Sequence, residues 1–98
     1  MNLLGLQASI NPNMALRLLM YVAKIYEKIV SRGGKEKIYS TKLITLPRPE
    51  FFVLYNGTTP YPDESTIKLS DAYESISSLG LPEKSIFSLD LTVKVINP

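Results

Sequence analysis

The side chains available for catalysis in this chain are carboxylates, lysines, tyrosines and serines, because the sequence of 98 residues contains neither cysteine nor histidine. These absences exclude disulfides, thiolate nucleophiles, Ser-His triads, and zinc sites built on sulfur or imidazole. Two carboxylate pairs remain as candidates, Asp63 with Glu64 and Asp71 with Glu74. The first pair lies in a proline-rich polar segment, where solvated surface charge is favoured over general acid-base chemistry. Capping and surface charge suffice to explain the second pair.

The basic residues are divided unevenly between the two halves of the chain. Positions 1–49 hold eight Lys or Arg against two Glu, whereas positions 50–98 hold three Lys against seven Asp or Glu. The small net charge of +2 therefore divides into +6 for the first half and −4 for the second. Such an asymmetry is a hint of an anionic partner for the basic half, but a solvated helix face is the favoured explanation.

Four of these cations follow one another along a single predicted helix and form the candidate nucleic-acid-binding set. They are Arg17, Lys24, Lys28 and Arg32. This basic flank could lie along phosphates or face water, and Tyr21 beside Arg17 could face a nucleic-acid groove.

The helix that carries the cations is the clearest element in the sequence, and it should run from about Pro12 to Ser31. Asn11 is the expected N-cap with Pro12 at the first helical position, and Asn13 is the competing cap. Gly33-Gly34 supplies a C-terminal stop. Apolar residues at spacings of three and four define its core side. They are Ala15, Leu18, Leu19, Val22, Ile25, Tyr26, Ile29 and Val30.

Strands account for most of the remaining order. Glu50–Tyr55 has apolar side chains at every second position on both faces, which predicts an interior strand covered on each side. Ser70 is predicted to cap a short helix that continues to about Ser77. The other predicted strands are Asn2–Ala8, Thr66–Leu69 and the alternating segment Phe87–Ile96. The implied fold is α/β, a single domain over residues 1–98 with one long amphipathic helix packed on a small mixed sheet.

Four segments in this order resemble consecutive signatures of PD-(D/E)XK nuclease-family transposases, which are related to recombination-promoting nucleases. They are Gln7–Arg17 around Asn-Pro-Asn, Tyr39–Ile44, Pro47–Gly57 with its Tyr-Asn-Gly end, and Lys68–Ala72. The resemblance covers nearly the whole chain. It implies a restriction-endonuclease-like core in which an Asp and a Glu-x-Lys or Glu-x-Gln hold Mg²⁺ for phosphodiester hydrolysis.

The same resemblance implies that the catalytic motif is defective here. In the family, the strand before the Asn-Pro-Asn helix reads Glu-His-Gln-Ser, so Gln7 keeps the last motif position, whereas Gly5 replaces the Glu and Leu6 the His. The motif Asp would lie upstream of Met1. We therefore expect the truncated C-terminal portion of a nuclease-like domain with an incomplete core, an inert Gln7, and neither metal nor cofactor of its own.

A sheet cut at this point would leave an unpaired edge. Dimerisation through Met1–Ala8, or pairing with a complementing fragment, would cover it, and such a fragment could also supply the missing ligands of an active enzyme. The alternative function is a DNA-binding or protein-interaction module without catalysis. The longest apolar run, Leu18–Ala23, is too short to span a membrane, and the first ten residues lack the features of a signal peptide, so a cytoplasmic protein is expected.

Overall fold

The computed structural model describes residues 2–7, 10–74 and 86–97. One α-helix and four strands carry the architecture, with 3₁₀ turns at Lys35–Tyr39 and Leu69–Ala72. The α-helix and the strands are β1 (Asn2–Gln7), α1 (Met14–Gly33), β2 (Glu50–Tyr55), β3 (Glu64–Lys68) and β4 (Thr92–Ile96). Ala8 and Ser77, which were expected to end a strand and a short helix, lie outside the described residues.

The strands form a single mixed sheet in the order β1-β2-β4-β3. Strands β1, β2 and β4 are parallel, whereas β3 runs antiparallel to β4. The parallel register places Val53 of β2 beside Gly5 of β1 and Val95 of β4. An α/β arrangement of one long helix and a small mixed sheet is therefore present, as the sequence predicted.

Helix α1 begins later than predicted. The side chain of Asn11 accepts a hydrogen bond from the backbone N–H of Asn13 at 2.8 Å, and the carbonyl of Asn11 accepts one from Met14 at 3.1 Å. This turn uses the Asn11 side chain before the helix starts, so Asn11 is not the N-cap and Pro12 is not its first residue. Asn13 occupies the cap position without a side-chain hydrogen bond. At the other end Gly34 adopts φ +100°, which favours glycine, and the helix stops as predicted.

The core lies between α1 and one face of the sheet. The buried residues of the helix are Met14, Ala15 and Val22. They join alternate residues of the two central strands, Phe51, Val53 and Tyr55 of β2 with Val93 and Val95 of β4. Outside this layer, the Tyr26 hydroxyl donates a hydrogen bond to the Pro47 carbonyl at 2.8 Å and ties the helix to the segment before β2.

The opposite face of the sheet is only partly covered. Phe52 and Leu54 of β2 are half-buried, and so is Ile96 of β4. The prediction that β2 is an interior strand is confirmed, but complete cover on both faces is wrong. The reason is that α1, the single α-helix of the described residues, lies against one face only.

The segment before β4 departs from its predicted strand. Phe87 and Leu89 are 43% and 53% exposed, and the strand begins only at Thr92. A carboxylate oxygen of Asp90 accepts hydrogen bonds from the backbone N–H groups of Ser70 at 3.0 Å and Leu91 at 2.8 Å. This contact turns the chain ahead of the strand.

The contact to Asp90 also explains two smaller differences around the 3₁₀ turn. The Ser70 N–H donates to Asp90, and Ser70 lies within the turn Leu69–Ala72, so its predicted N-cap role is wrong. Lys68 holds the cap position instead. Strand β3 begins at Glu64, two residues before the predicted start at Thr66, because it pairs with β4 over all five of its residues.

The Asp90 contact should make stability depend on acid pH. Desolvation by itself raises the pKa of Asp90, but the hydrogen bonds from Ser70 and Leu91, aided by the Lys68 charge, outweigh it and lower this pKa below its usual value. A lowered folded-state pKa stabilises the fold above the unfolded-state pKa of about 4, and this contribution disappears as the pH falls through the folded value.

We therefore expect Asp90→Asn to flatten the acid side of the stability profile. Urea denaturation between neutral pH and the acid limit measures this as the shift of the midpoint with pH. The wild-type midpoint should fall more steeply than that of Asp90→Asn below about pH 4. Parallel profiles would show that Asp90 is not the titrating group.

Candidate nucleic-acid interface

The four predicted cations lie together on one flank of α1. At 3.6 residues per turn, Arg17, Lys24, Lys28 and Arg32 fall within about 80° of one another, and the flank is rotated by about 120° from the buried Val22. All four side chains are exposed. From Arg17 to Arg32 the flank extends for about 22 Å along the helix axis. The helix thus positions the predicted residues as one surface.

The charges of this basic flank are not neutralised by neighbours. None of its four cations forms an ion pair within the described part of the chain, where the salt bridge present is Arg48 to Glu50 at 3.0 Å. The one acidic residue of α1 is Glu27. An exposed row of unpaired cations attracts anions, and this attraction falls as salt screens it.

The surface along the basic flank is concave. An open depression of about 600 Å³ is lined by α1 residues between Tyr21 and Arg32, which include the cations Lys24 and Lys28 and the acidic Glu27. A second depression of about 410 Å³ adjoins it and is lined by Arg17, Tyr21 and Lys24 with apolar neighbours. Tyr21 lines both depressions and is 55% exposed, so its ring is available to a ligand that lies along the cations.

Two exposed apolar residues beside the basic flank were not predicted from the sequence to belong to the candidate interface. Leu16 and Met20 are 45% and 57% exposed. Their spacing of four residues places both on the solvent side of α1, and it is the helical periodicity of their neighbours that could have revealed this. Met20 lines the second depression together with Arg17. The candidate interface therefore combines cations with apolar contact area.

The carboxylate pairs show no arrangement for acid-base chemistry. Asp63, Glu64, Asp71 and Glu74 are all exposed. Their exposure fits the solvated surface charge that the sequence favoured for both pairs. Within residues 2–7, 10–74 and 86–97, no group of three His, Cys, Asp or Glu side chains lies close enough to hold a metal ion.

The strand that the resemblance assigns to the catalytic motif contains no carboxylate. In the β1–β2 register, Gly5 lies beside Val53 and Gln7 beside Tyr55, so neither motif position has a carboxylate partner there. The Tyr55 hydroxyl is occupied by a hydrogen bond to the Thr59 carbonyl at 2.6 Å. Mg²⁺ prefers carboxylate and water oxygens, and the residues at these positions do not fit it.

No protein-family model matches this chain, and neither the curated proteins nor the solved structures contain a significant match. Across the ranges described here, no helix is both long enough and apolar enough to cross a membrane. The candidate interface accordingly rests on the geometry of α1 and its charges.

Proposed function

We propose that this chain is a non-catalytic nucleic-acid-binding module that holds phosphates along the basic flank of α1. The observation that carries the proposal is the row of four exposed cations, none of which is paired within the described residues. Phosphate oxygens accept charge-assisted hydrogen bonds from Arg and Lys, and Arg can do so in a bidentate manner. Tyr21, which lies among the cations, adds a face against which a base or sugar can pack.

The size of the flank sets the expected strength of binding. A row of about 22 Å spans several phosphates, because each strand of a duplex carries one phosphate per 3.4 Å of axis. Four contacts without base recognition correspond to non-specific binding, with dissociation constants on the order of 10⁻⁴ to 10⁻⁶ M at physiological salt. Sequence preference is therefore expected to be weak.

Titration of a fluorescein-labelled 24-base-pair duplex with the 98-residue chain, followed by anisotropy at several salt concentrations, tests the proposal. The logarithm of the binding constant should fall linearly with the logarithm of salt, with a slope of about −3 to −4, since each neutralised phosphate contributes about −0.9. A variant with Arg17, Lys24 and Lys28 replaced by Ala should lose most of this slope and most of the affinity.

The matched control replaces three lysines outside α1, Lys42, Lys68 and Lys94, by Ala. All three are exposed, so the control loses the same charge from a folded chain. It should keep the wild-type slope. If the α1 variant binds like the wild type, or the control loses as much affinity as the α1 variant, the basic flank is not the binding surface.

We further propose that the chain derives from a nuclease-like transposase and has lost the nuclease activity. The support for this origin is the order of the four family-like segments, and the inference of inactivity rests on Gly5, which stands where the motif has the Glu that would bind Mg²⁺. The purified chain should leave supercoiled plasmid and single-stranded DNA intact with Mg²⁺. Cleavage that EDTA abolishes would overturn this part of the proposal while leaving binding untouched.

Protein interaction through β1 is the second candidate function. It is favoured by the position of β1 at the edge of the sheet, where a second copy or a complementing fragment can add a strand.

We also propose a cytoplasmic location for the chain. The absence of cysteine is compatible with a reducing compartment.

A further inference from the structure

Strand β1 is an edge without the usual protection against pairing. It bonds to β2 on one side, and none of the strands described here pairs with its other side. Its six residues, NLLGLQ, include no charge and no proline. Edge strands are normally protected by charges, prolines or bulges. The other edge, β3, has exposed Glu64 and Lys68 at its ends and follows Pro60 and Pro62. The contrast leaves β1 as the edge open to pairing.

The chain exposes more surface than a folded monomer of its size. Its accessible surface is 7781 Å², whereas a folded monomer of 11.0 kDa exposes about 5,600 Å². Its radius of gyration is 16.8 Å, against about 13 Å for a compact chain of this length. The excess of roughly 2,000 Å² is more than the roughly 800 Å² that each partner loses in a standard interface. The excess is a total for the chain, and it is the unpaired edge of β1 that gives an interface its position.

We infer that two copies of this chain join β1 to β1 in antiparallel fashion and form a continuous sheet from the four described strands of each copy. A second copy suits this edge because identical strands match in length and an uncharged strand opposes no like charges when it pairs with itself. When two identical strands pair in antiparallel fashion, the two-fold axis between them is perpendicular to the sheet. Residues opposite each other point to the same face, so one residue of β1 lies opposite its own copy at the axis. Leu4 and Gly5, at the middle of β1, are the two candidates for that position.

This symmetry places both α1 helices on one side of the joined sheet, because a perpendicular two-fold axis does not exchange the faces. In each copy α1 packs against β3 and β4. At about 4.8 Å per strand, the two β4 strands are about 24 Å apart and the two β3 strands about 34 Å apart. One turn of duplex DNA is about 34 to 36 Å. The doubled basic flanks could therefore contact one duplex; this consequence rests on the proposed function, whereas the dimer does not.

The molar mass of the wild-type chain without DNA is the first test. Size-exclusion chromatography with light scattering at micromolar concentration should give twice 11.0 kDa. A single species of 11.0 kDa across the micromolar range overturns the inference.

Cysteine cross-linking locates the interface, because the chain has no cysteine of its own. Leu4→Cys and Gly5→Cys each place a thiol at a possible position of the axis, where Cα atoms of opposed strands are close enough for a disulfide. At least one should give a disulfide dimer that reductant reverses. Thr66→Cys, exposed on β3, is the control and should stay monomeric on the denaturing gel. A wild-type dimer with no cross-link at either β1 position overturns the assignment.

The β1 dimer and DNA binding by α1 can be tested independently of each other. A dimer that binds no duplex rejects the proposed function and supports the inference, whereas a monomer that binds duplex does the reverse. The Arg17, Lys24 and Lys28 to Ala variant should keep the dimer mass while losing affinity for the 24-base-pair duplex. Loss of the dimer in this variant would show that α1, rather than β1, forms the interface.

Discussion

Replacement of Val95 by Asp is expected to abolish cooperative folding. Val95 is 0% exposed and lies at the centre of the sheet, in register with Val53 on one side and Ser65 on the other. Burial of an unpaired carboxylate costs several kcal/mol, and the whole domain has about 5 to 15 kcal/mol of stability. Urea titration followed by circular dichroism should show no sigmoidal transition for this variant.

The neighbouring substitution Lys94→Asp is the matched control for Val95→Asp. Lys94 is exposed and stands beside Phe52 in the register, on the face that α1 does not cover. An exposed substitution of this kind should change the free energy of unfolding by only about 0.5 kcal/mol. If both variants unfold with the wild-type midpoint, the core does not lie between α1 and the face that carries Val95. If both unfold completely, the uncovered face is more constrained than its exposure indicates.

The elements that the sequence predicted best are those with local boundaries. Strand β2 is confirmed at both ends because Pro47 and Pro49 precede it and the turn dipeptide Asn56-Gly57 follows it. The end of α1 is confirmed to within two residues because glycine stops a helix through its own conformational freedom.

Apart from the start of α1, which a local hydrogen bond between Asn11 and Asn13 displaces, the boundaries that were missed depend on contacts between distant parts of the chain. The start of β4 is displaced from Phe87 to Thr92 by the hydrogen bond between Asp90 and Ser70, residues that are 20 positions apart. The alternation of apolar residues along the sequence does not predict such a contact. The strand order β1-β2-β4-β3 and the uncovered face of β2 likewise arise from tertiary packing, which local periodicity does not predict.

One part of the candidate interface could be predicted from local sequence, and another part could not. Helical spacing alone places Lys24 and Lys28 on one flank, since residues four apart are neighbours on a helix. The absence of ion pairs in the described region required the fold, because it depends on which side chains approach α1 from elsewhere. The nuclease resemblance stays a prediction, and what supports the binding proposal is independent of it.

Reversal of charge at two positions of the basic flank should strongly weaken binding to the 24-base-pair duplex. Lys24→Glu together with Lys28→Glu turns two attractions into repulsions at the middle of the row, where both side chains line the same depression. Loss of two phosphate contacts removes about 1.8 units of salt slope, and the added repulsion acts on the contacts at Arg17 and Arg32 as well. Affinity at low salt should therefore fall by about 10² or more.

The control for this reversal must change the net charge equally, because a shift from +2 to −2 weakens binding to DNA wherever it occurs. Lys42→Glu with Lys94→Glu makes the same change at two exposed positions outside α1. Anisotropy titrations of both double variants separate the effects. A loss that is much larger for the α1 pair assigns the binding surface to the flank. Equal losses would mean that the duplex responds to the overall charge of the chain, and the proposed interface would then be wrong.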